Sequence, residues 1–222
     1  MAKPIGFSAF LKLLELSDGP RRTELRKKLG GGGGFQYWRP VQIVAPKAIL
    51  PAANIEILKK KIDGLCSGHQ QQYNKNAFAA FCKWITGKPI KPSAALPTID
   101  IPFGNSGLLV HLKPDISFEI DGNLFSMNLW ATTKPLLTAN TLSIGLLFSA
   151  SAYKAQGYES HKHVILDTIR DRLFREEDIL PNAIHLLKDK VDAFKKDWDV
   201  LNPIPPASPD RPTEQPGAPK QP

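Results

Sequence analysis

The sequence predicts an α/β fold: a small mixed sheet containing an antiparallel hairpin, flanked by helices and followed by a disordered tail. Three observations predict it. A long alternating stretch is interrupted by Asp121-Gly122, apolar residues recur at helical spacing on both sides of that stretch, and the end from Asn202 is Pro-rich without aromatics. The 222 residues, 42% of them hydrophobic, suffice for one sizeable core, so residues 1–201 are expected to form a single domain with a basic helical N-terminal part, and 202–222 a tail.

In chain order, Phe7, Phe10, Leu11 and Leu14 give one apolar helical face, broken at Ser17-Asp18-Gly19-Pro20. Pro20 suits the first turn of a second helix, Arg21 to Leu29, whose exposed side is expected to carry Arg21, Arg22, Arg26, Lys27 and Lys28. The run Gly30 to Gly34 lacks the preceding strand and the Gly-Lys-Ser/Thr ending of a phosphate loop, so it reads as a linker or helix stop. The aromatic group Phe35-Gln36-Tyr37-Trp38 is expected in the core, with base stacking as its functional alternative. Asn54 to Leu65 reads as a helix with Ile55, Leu58, Ile62 and Leu65 inside and Lys59, Lys60 and Lys61 together, and Ala77 to Ile85 as another. Ser67 to Asn76 is polar and Gln-rich between them, and Gly87 to Pro102 reads as an extended connector.

From Val110 to Ile120, Val110, Leu112, Ile116, Phe118 and Ile120 point one way, and His111, Lys113, Asp115, Ser117 and Glu119 the other. With Asp121-Gly122 as the loop, Ile120 pairs with Asn123, Phe118 with Phe125, Ile116 with Met127 and Pro114 with Leu129. The apolar residues of both strands then share a face, and a one-residue slip would scramble both faces. On the polar face Asp115 is expected opposite Asn128, Ser117 opposite Ser126, and Lys113 opposite Trp130. Thr138 caps a helix to about Ala155, His163 to Leu173 suits a further strand, and Pro181 opens a last amphipathic helix through Trp198.

Composition narrows the function classes. Lys3, Lys12 and Glu15 interrupt the apolar residues near the start, so no signal peptide is expected, and the apolar run Leu142 to Ala152 is too short to span a bilayer. Cys66 and Cys82 lack metal-ligand spacing and read as buried free thiols of a reducing cytoplasm. The net charge of +8 is uneven: residues 1–100 hold sixteen Lys and Arg against six Asp and Glu, the remainder thirteen against fifteen. A surplus of that size on the N-terminal helices suits a polyanion such as nucleic acid. Nucleophile-elbow, zinc-protease and dinucleotide fingerprints do not occur, and His161 and His163 lack a third ligand at a recognisable spacing, so they read as a solvated pair.

Pro114-Asp115 followed by the hairpin and a helix resembles the PD-(D/E)xK superfamily of restriction-endonuclease-like nucleases. The resemblance implies a site in which a Pro-Asp faces an acidic-x-Lys triplet and two carboxylates hold Mg²⁺ or Mn²⁺ for phosphodiester cleavage. Here the triplet reads Asn128-Leu129-Trp130, with an amide at the acidic position and an indole at the lysine position. By the resemblance, Asp115 and Asn128 are the metal-ligand candidates, and Asp115, Asn128 and Lys113 the catalytic ones. Lys134 is a looser stand-in for the lysine, and Glu24 or Glu56 could supply a missing ligand from a helix. Arg21, Arg22, Arg26, Lys27, Lys28, Lys59, Lys60 and Lys61 are the candidate nucleic-acid contacts, with DNA favoured over RNA and no membrane partner. The expectation is a nucleic-acid-binding protein with a degenerate nuclease-like fold. The alternatives are an active metal-dependent nuclease with a rerouted catalytic set and a non-catalytic protein-interaction subunit.

Overall fold

The computed structural model describes residues 4–29 and 37–202. The glycine run, Phe35 and Gln36, and all but the first residue of the expected tail lie outside the described residues.

The chain is mixed α/β with two mixed sheets and seven α-helices among the described residues. The larger sheet is ordered β2 (Lys91–Pro92), β5 (Ile116–Ile120), β6 (Asn123–Trp130), β7 (His161–Asp167) and β8 (Arg172–Arg175). In it β6 and β7 are parallel, joined by α6 (Ala139–Lys154), and the other neighbours are antiparallel. The smaller sheet is ordered β1 (Ile5–Gly6), β4 (Leu109–Leu112) and β3 (Ile99–Pro102).

Helices cover both faces of the larger sheet. On one face α3 (Arg39–Ala48), α4 (Ile55–Leu65) and α5 (Gly68–Ile85) pack through Val44, Ile62, Phe78 and Phe81 against Ile116, Phe118, Met127, Leu129, Val164 and Leu166. On the other, α1 (Phe7–Glu15), α2 (Asp18–Leu29), α6, α7 (Ala183–Leu201) and the smaller sheet share a core with Trp130, Ile165 and Phe174. Each fully buried Phe, Leu or Ile there contributes about 1.5–3 kcal/mol.

Local sequence explains the termini. Asn54 accepts the Ile57 N–H at 3.1 Å to cap α4, and Thr138 accepts the Thr141 N–H at 3.3 Å to cap α6. The Thr138 N–H and hydroxyl in turn both donate to Glu15, tying α1 to the start of α6.

The hairpin register is the one expected from Ile116 to Met127: Ile116 pairs with Met127, Ser117 with Ser126, Phe118 with Phe125 and Ile120 with Asn123. Asp121 and Gly122 both have positive φ, 50° and 77°, as a tight two-residue hairpin loop requires. The expected continuation fails. The ladder ends at Ile116, so the pairs Pro114–Leu129, Asp115–Asn128 and Lys113–Trp130 do not form, and β4 leaves for the other sheet. Pro114 has no N–H to donate, and the chain bends there. Val110 and Leu112 therefore enter the opposite core from Ile116 and Phe118, not the shared face expected of one continuous strand.

Three further elements depart from expectation. The Gln-rich segment is the first half of α5; the stretch His163 to Leu173, expected as one strand, is two antiparallel strands, β7 and β8, joined by a turn after Asp167; and the connector Gly87 to Pro102 contributes two short strands.

Candidate functional site

Asp115 stands at the entry to β5, beside the C-terminal half of its antiparallel partner β6. Where the backbone ladder stops, its side chain takes over: Asp115 Oδ2 accepts the Leu129 N–H at 2.8 Å, and its own N–H donates to the Met127 carbonyl at 2.9 Å. The Gln42 side chain of α3 and the charge of Lys113 both lie near enough to act on the same carboxyl in its ionised form's favour. Burial outweighs these favourable partners and pushes the carboxyl up from 3.8 to about 7. Asn128 turns its amide the other way, Nδ2 donating to the Lys113 carbonyl at 3.2 Å. The structure thus gathers Asp115, Asn128 and Lys113 into one neighbourhood and adds Gln42.

Trp130 does not face Lys113. It is 2% exposed in the core beneath α6, paired with Asp167 across the parallel ladder, and its Nε1 has no hydrogen-bond partner. The position that resemblance assigns to a lysine is therefore core. Glu24 binds Lys12 and Lys27, and Glu56 binds Lys59, so neither candidate helical carboxylate is directed to Asp115. Among the described residues no three His, Cys, Asp or Glu side chains are grouped to hold a metal. The donor set at Asp115 is one carboxyl with one oxygen engaged by the Leu129 N–H, plus the Asn128 amide. That set does not fit a hard divalent cation, which takes several charged oxygens.

The basic candidates separate into two layers. Arg21 is not on the exposed side: it is 2% exposed, its Nε lies 2.6 Å from Asp197 Oδ2, it also bonds Asp18 and the Leu16 carbonyl, and its guanidinium lies over the Phe194 ring. Arg22 leans on Asp197 at 3.7 Å, and Arg26, Lys27 and Lys28 remain on the outside of α2. On α4, Lys59 pairs with Glu56 while Lys60 and Lys61 are exposed. Lys47, exposed at the end of α3, faces the neighbouring α4, where the nearby Lys61 holds it below its ordinary value. The sequence reading missed Lys47 and Gln42 because it assigned no helix to their segment. The spacing of Val41, Val44, Ala45 and Ala48 after Pro40 was the available signal.

His163 is not solvated. It is 4% exposed, its Nδ1 lies 2.6 Å from Ser126 Oγ, its ring stacks on Tyr153, and its Nε2 is unpartnered. Burial, with His161 nearby, drives it down to about 4. Ser126 is itself 1% exposed, so the pair is a buried bridge between sheet and α6 and no accessible nucleophile. Cys66 and Cys82 are free thiols, half-buried and raised by that burial, Cys82 to about 11. No helix among the described residues is long and apolar enough to cross a membrane. No protein-family model and no curated protein matches the chain.

Proposed function

We propose that this chain binds nucleic acid through a basic surface carried on a degenerate PD-(D/E)xK-like framework that does not cleave. The observation that carries the reading is a group of exposed lysines on two neighbouring helices, Lys47 at the end of α3 and Lys60 and Lys61 on α4. Among the described residues no carboxylate pairs with any of the three. Like charges brought together cost free energy that a phosphate backbone would relieve.

The framework side rests on Pro114-Asp115 leading into β5, the β5–β6 hairpin, and the passage through α6 to a parallel β7. The loss of cleavage rests on the donor set: Trp130 is core, and Asp115 is a single carboxyl with one oxygen already taken by the Leu129 N–H. Titrating labelled duplex DNA, single-stranded DNA and RNA at increasing salt tests the reading. Affinity should fall steeply with salt and be unchanged by a chelator. No binding of any of them at low salt would overturn it.

A further inference from the structure

We infer that the nucleic acid is single-stranded, and that its unpaired bases stack on a ring cluster formed by Tyr37, Trp38 and Tyr73. This rests on the nucleic-acid reading above and names the substrate class. The Tyr37 and Trp38 rings lie 4.9 Å apart, both stand 6.3 Å from Tyr73, and exposed His69 flanks Tyr73 at 5.4 Å. All three rings are half-buried, so they are neither core nor loose: each keeps part of its surface in water.

Polar tethers hold them there. Gln70 and Asn74 side chains both donate to the Tyr37 carbonyl at 2.9 Å, and Trp38 Nε1 donates to Thr132 Oγ1 at 3.1 Å. A group of aromatic rings fixed at the surface and sequence-tolerant in what it stacks is the platform that unpaired bases use. In a duplex the base faces are stacked on each other and out of reach, so the same rings offer a duplex nothing.

Phosphates have a place on the same helix. Arg39, exposed, opens α3 directly after the rings, and exposed Lys47 lies at its other end beside α4, which carries exposed Lys60 and Lys61. The ten residues between those ends extend about 15 Å, a span for a few nucleotides of strand. Aromatic contacts at one end and uncompensated cations at the other give a track with stacking and charge in series.

The test uses the full chain and three fluorescent probes: a twelve-nucleotide oligothymidylate, an abasic strand of equal length and charge, and a twelve-base-pair duplex. Binding is followed by anisotropy at one fixed salt concentration. Oligothymidylate should bind about tenfold or more tighter than the abasic strand. Tyr73→Leu should remove most of that advantage while leaving abasic and duplex affinities as they were. Equal affinity of the wild-type chain for oligothymidylate and the abasic strand would overturn the stacking platform while leaving the nucleic-acid reading standing. That comparison needs no variant and so does not depend on how Tyr73→Leu folds. Failure of all three probes to bind would sink both.

Discussion

Asp115 and His163 titrate in the same pH window with opposite signs. Asp115 is raised from 3.8 to about 7 by burial, so between those values the folded chain binds the proton that the unfolded chain releases; its contribution favours folding at the acid end and is lost as pH rises toward 7. His163 is lowered from 6.5 to about 4, so the unfolded chain binds the proton; its contribution is present above 6.5 and is lost as pH falls toward 4. The two slopes offset each other in the wild-type chain. Asp115→Asn, which keeps an acceptor for the Leu129 N–H, should therefore be more stable than wild type at pH 8 and lose stability more steeply on acidification. His163→Phe should show the reverse slope. Urea unfolding midpoints at pH 5, 6 and 8 check both, and parallel pH profiles for all three proteins would contradict them. Arg21 makes a different residue-scale case. Replacing it with Ala leaves Asp197 buried and without its closest cation, at a cost of about 3–5 kcal/mol. The salt dependence of nucleic-acid binding should not change, because this guanidinium is spent on holding α2 to α7.

At the scale of elements, two glycines separate backbone strain from packing. Gly122 in the hairpin loop and Gly107 in the loop before β4 have nearly equal positive φ, 77° and 78°. A Cβ at Gly122 meets open space, whereas at Gly107 it falls 2.6 Å from the Trp198 ring of α7. Gly122→Ala should cost about 1–2 kcal/mol from the left-handed backbone alone, and Gly107→Ala about 1–3 kcal/mol more from overpacking. Chemical denaturation of the two variants side by side decides it. The same contrast between local and distant causes explains what the sequence could reveal. The hairpin register was readable from Ile116 to Met127 because alternation and an Asp-Gly loop are both local signals, and the cap at Thr138 was readable for the same reason. The break at Lys113 to Asp115 depends on which sheet captures β4, a distant choice that alternation cannot express; only Pro114 hinted at it. The Gln-rich start of α5 looked like a loop because its amides are polar. Yet Asn74 is wholly buried, accepting the Val41 N–H and donating to the Tyr37 carbonyl, a tertiary use with no periodic signature. The turn between β7 and β8 is closed by Asp171 at φ 53°, with no Gly or Pro to announce it. At the candidate site, sequence named Asp115, Asn128 and Lys113. Gln42 and Lys47 reach the picture only through the packing of α3.

For the whole molecule, the central sheet divides the basic residues that a linear count had pooled. Arg26, Lys27 and Lys28 sit on α2, in the layer built around α1, α6 and α7, whereas Lys47, Lys60 and Lys61 sit on α3 and α4 across the sheet. One strand following a single face cannot engage both groups at once, and the α3–α4 layer, where exposed Lys47, Lys60 and Lys61 have no carboxylate partner among the described residues, is the face the proposed reading assigns to phosphates. Each phosphate contact on a single strand contributes a salt slope of about −0.7. Replacing Lys47, Lys60 and Lys61 together by Ala should thus flatten the slope of log affinity against log salt by about 2 and weaken binding at low salt. Replacing Arg26, Lys27 and Lys28 together removes an equal number of charges from the other layer and should leave the slope nearly unchanged. The paired design matters because both triple variants lower the net charge by three, so any difference between them reports position and not overall charge. Equal flattening by the two would mean that affinity follows net charge alone and that the chain has no preferred face.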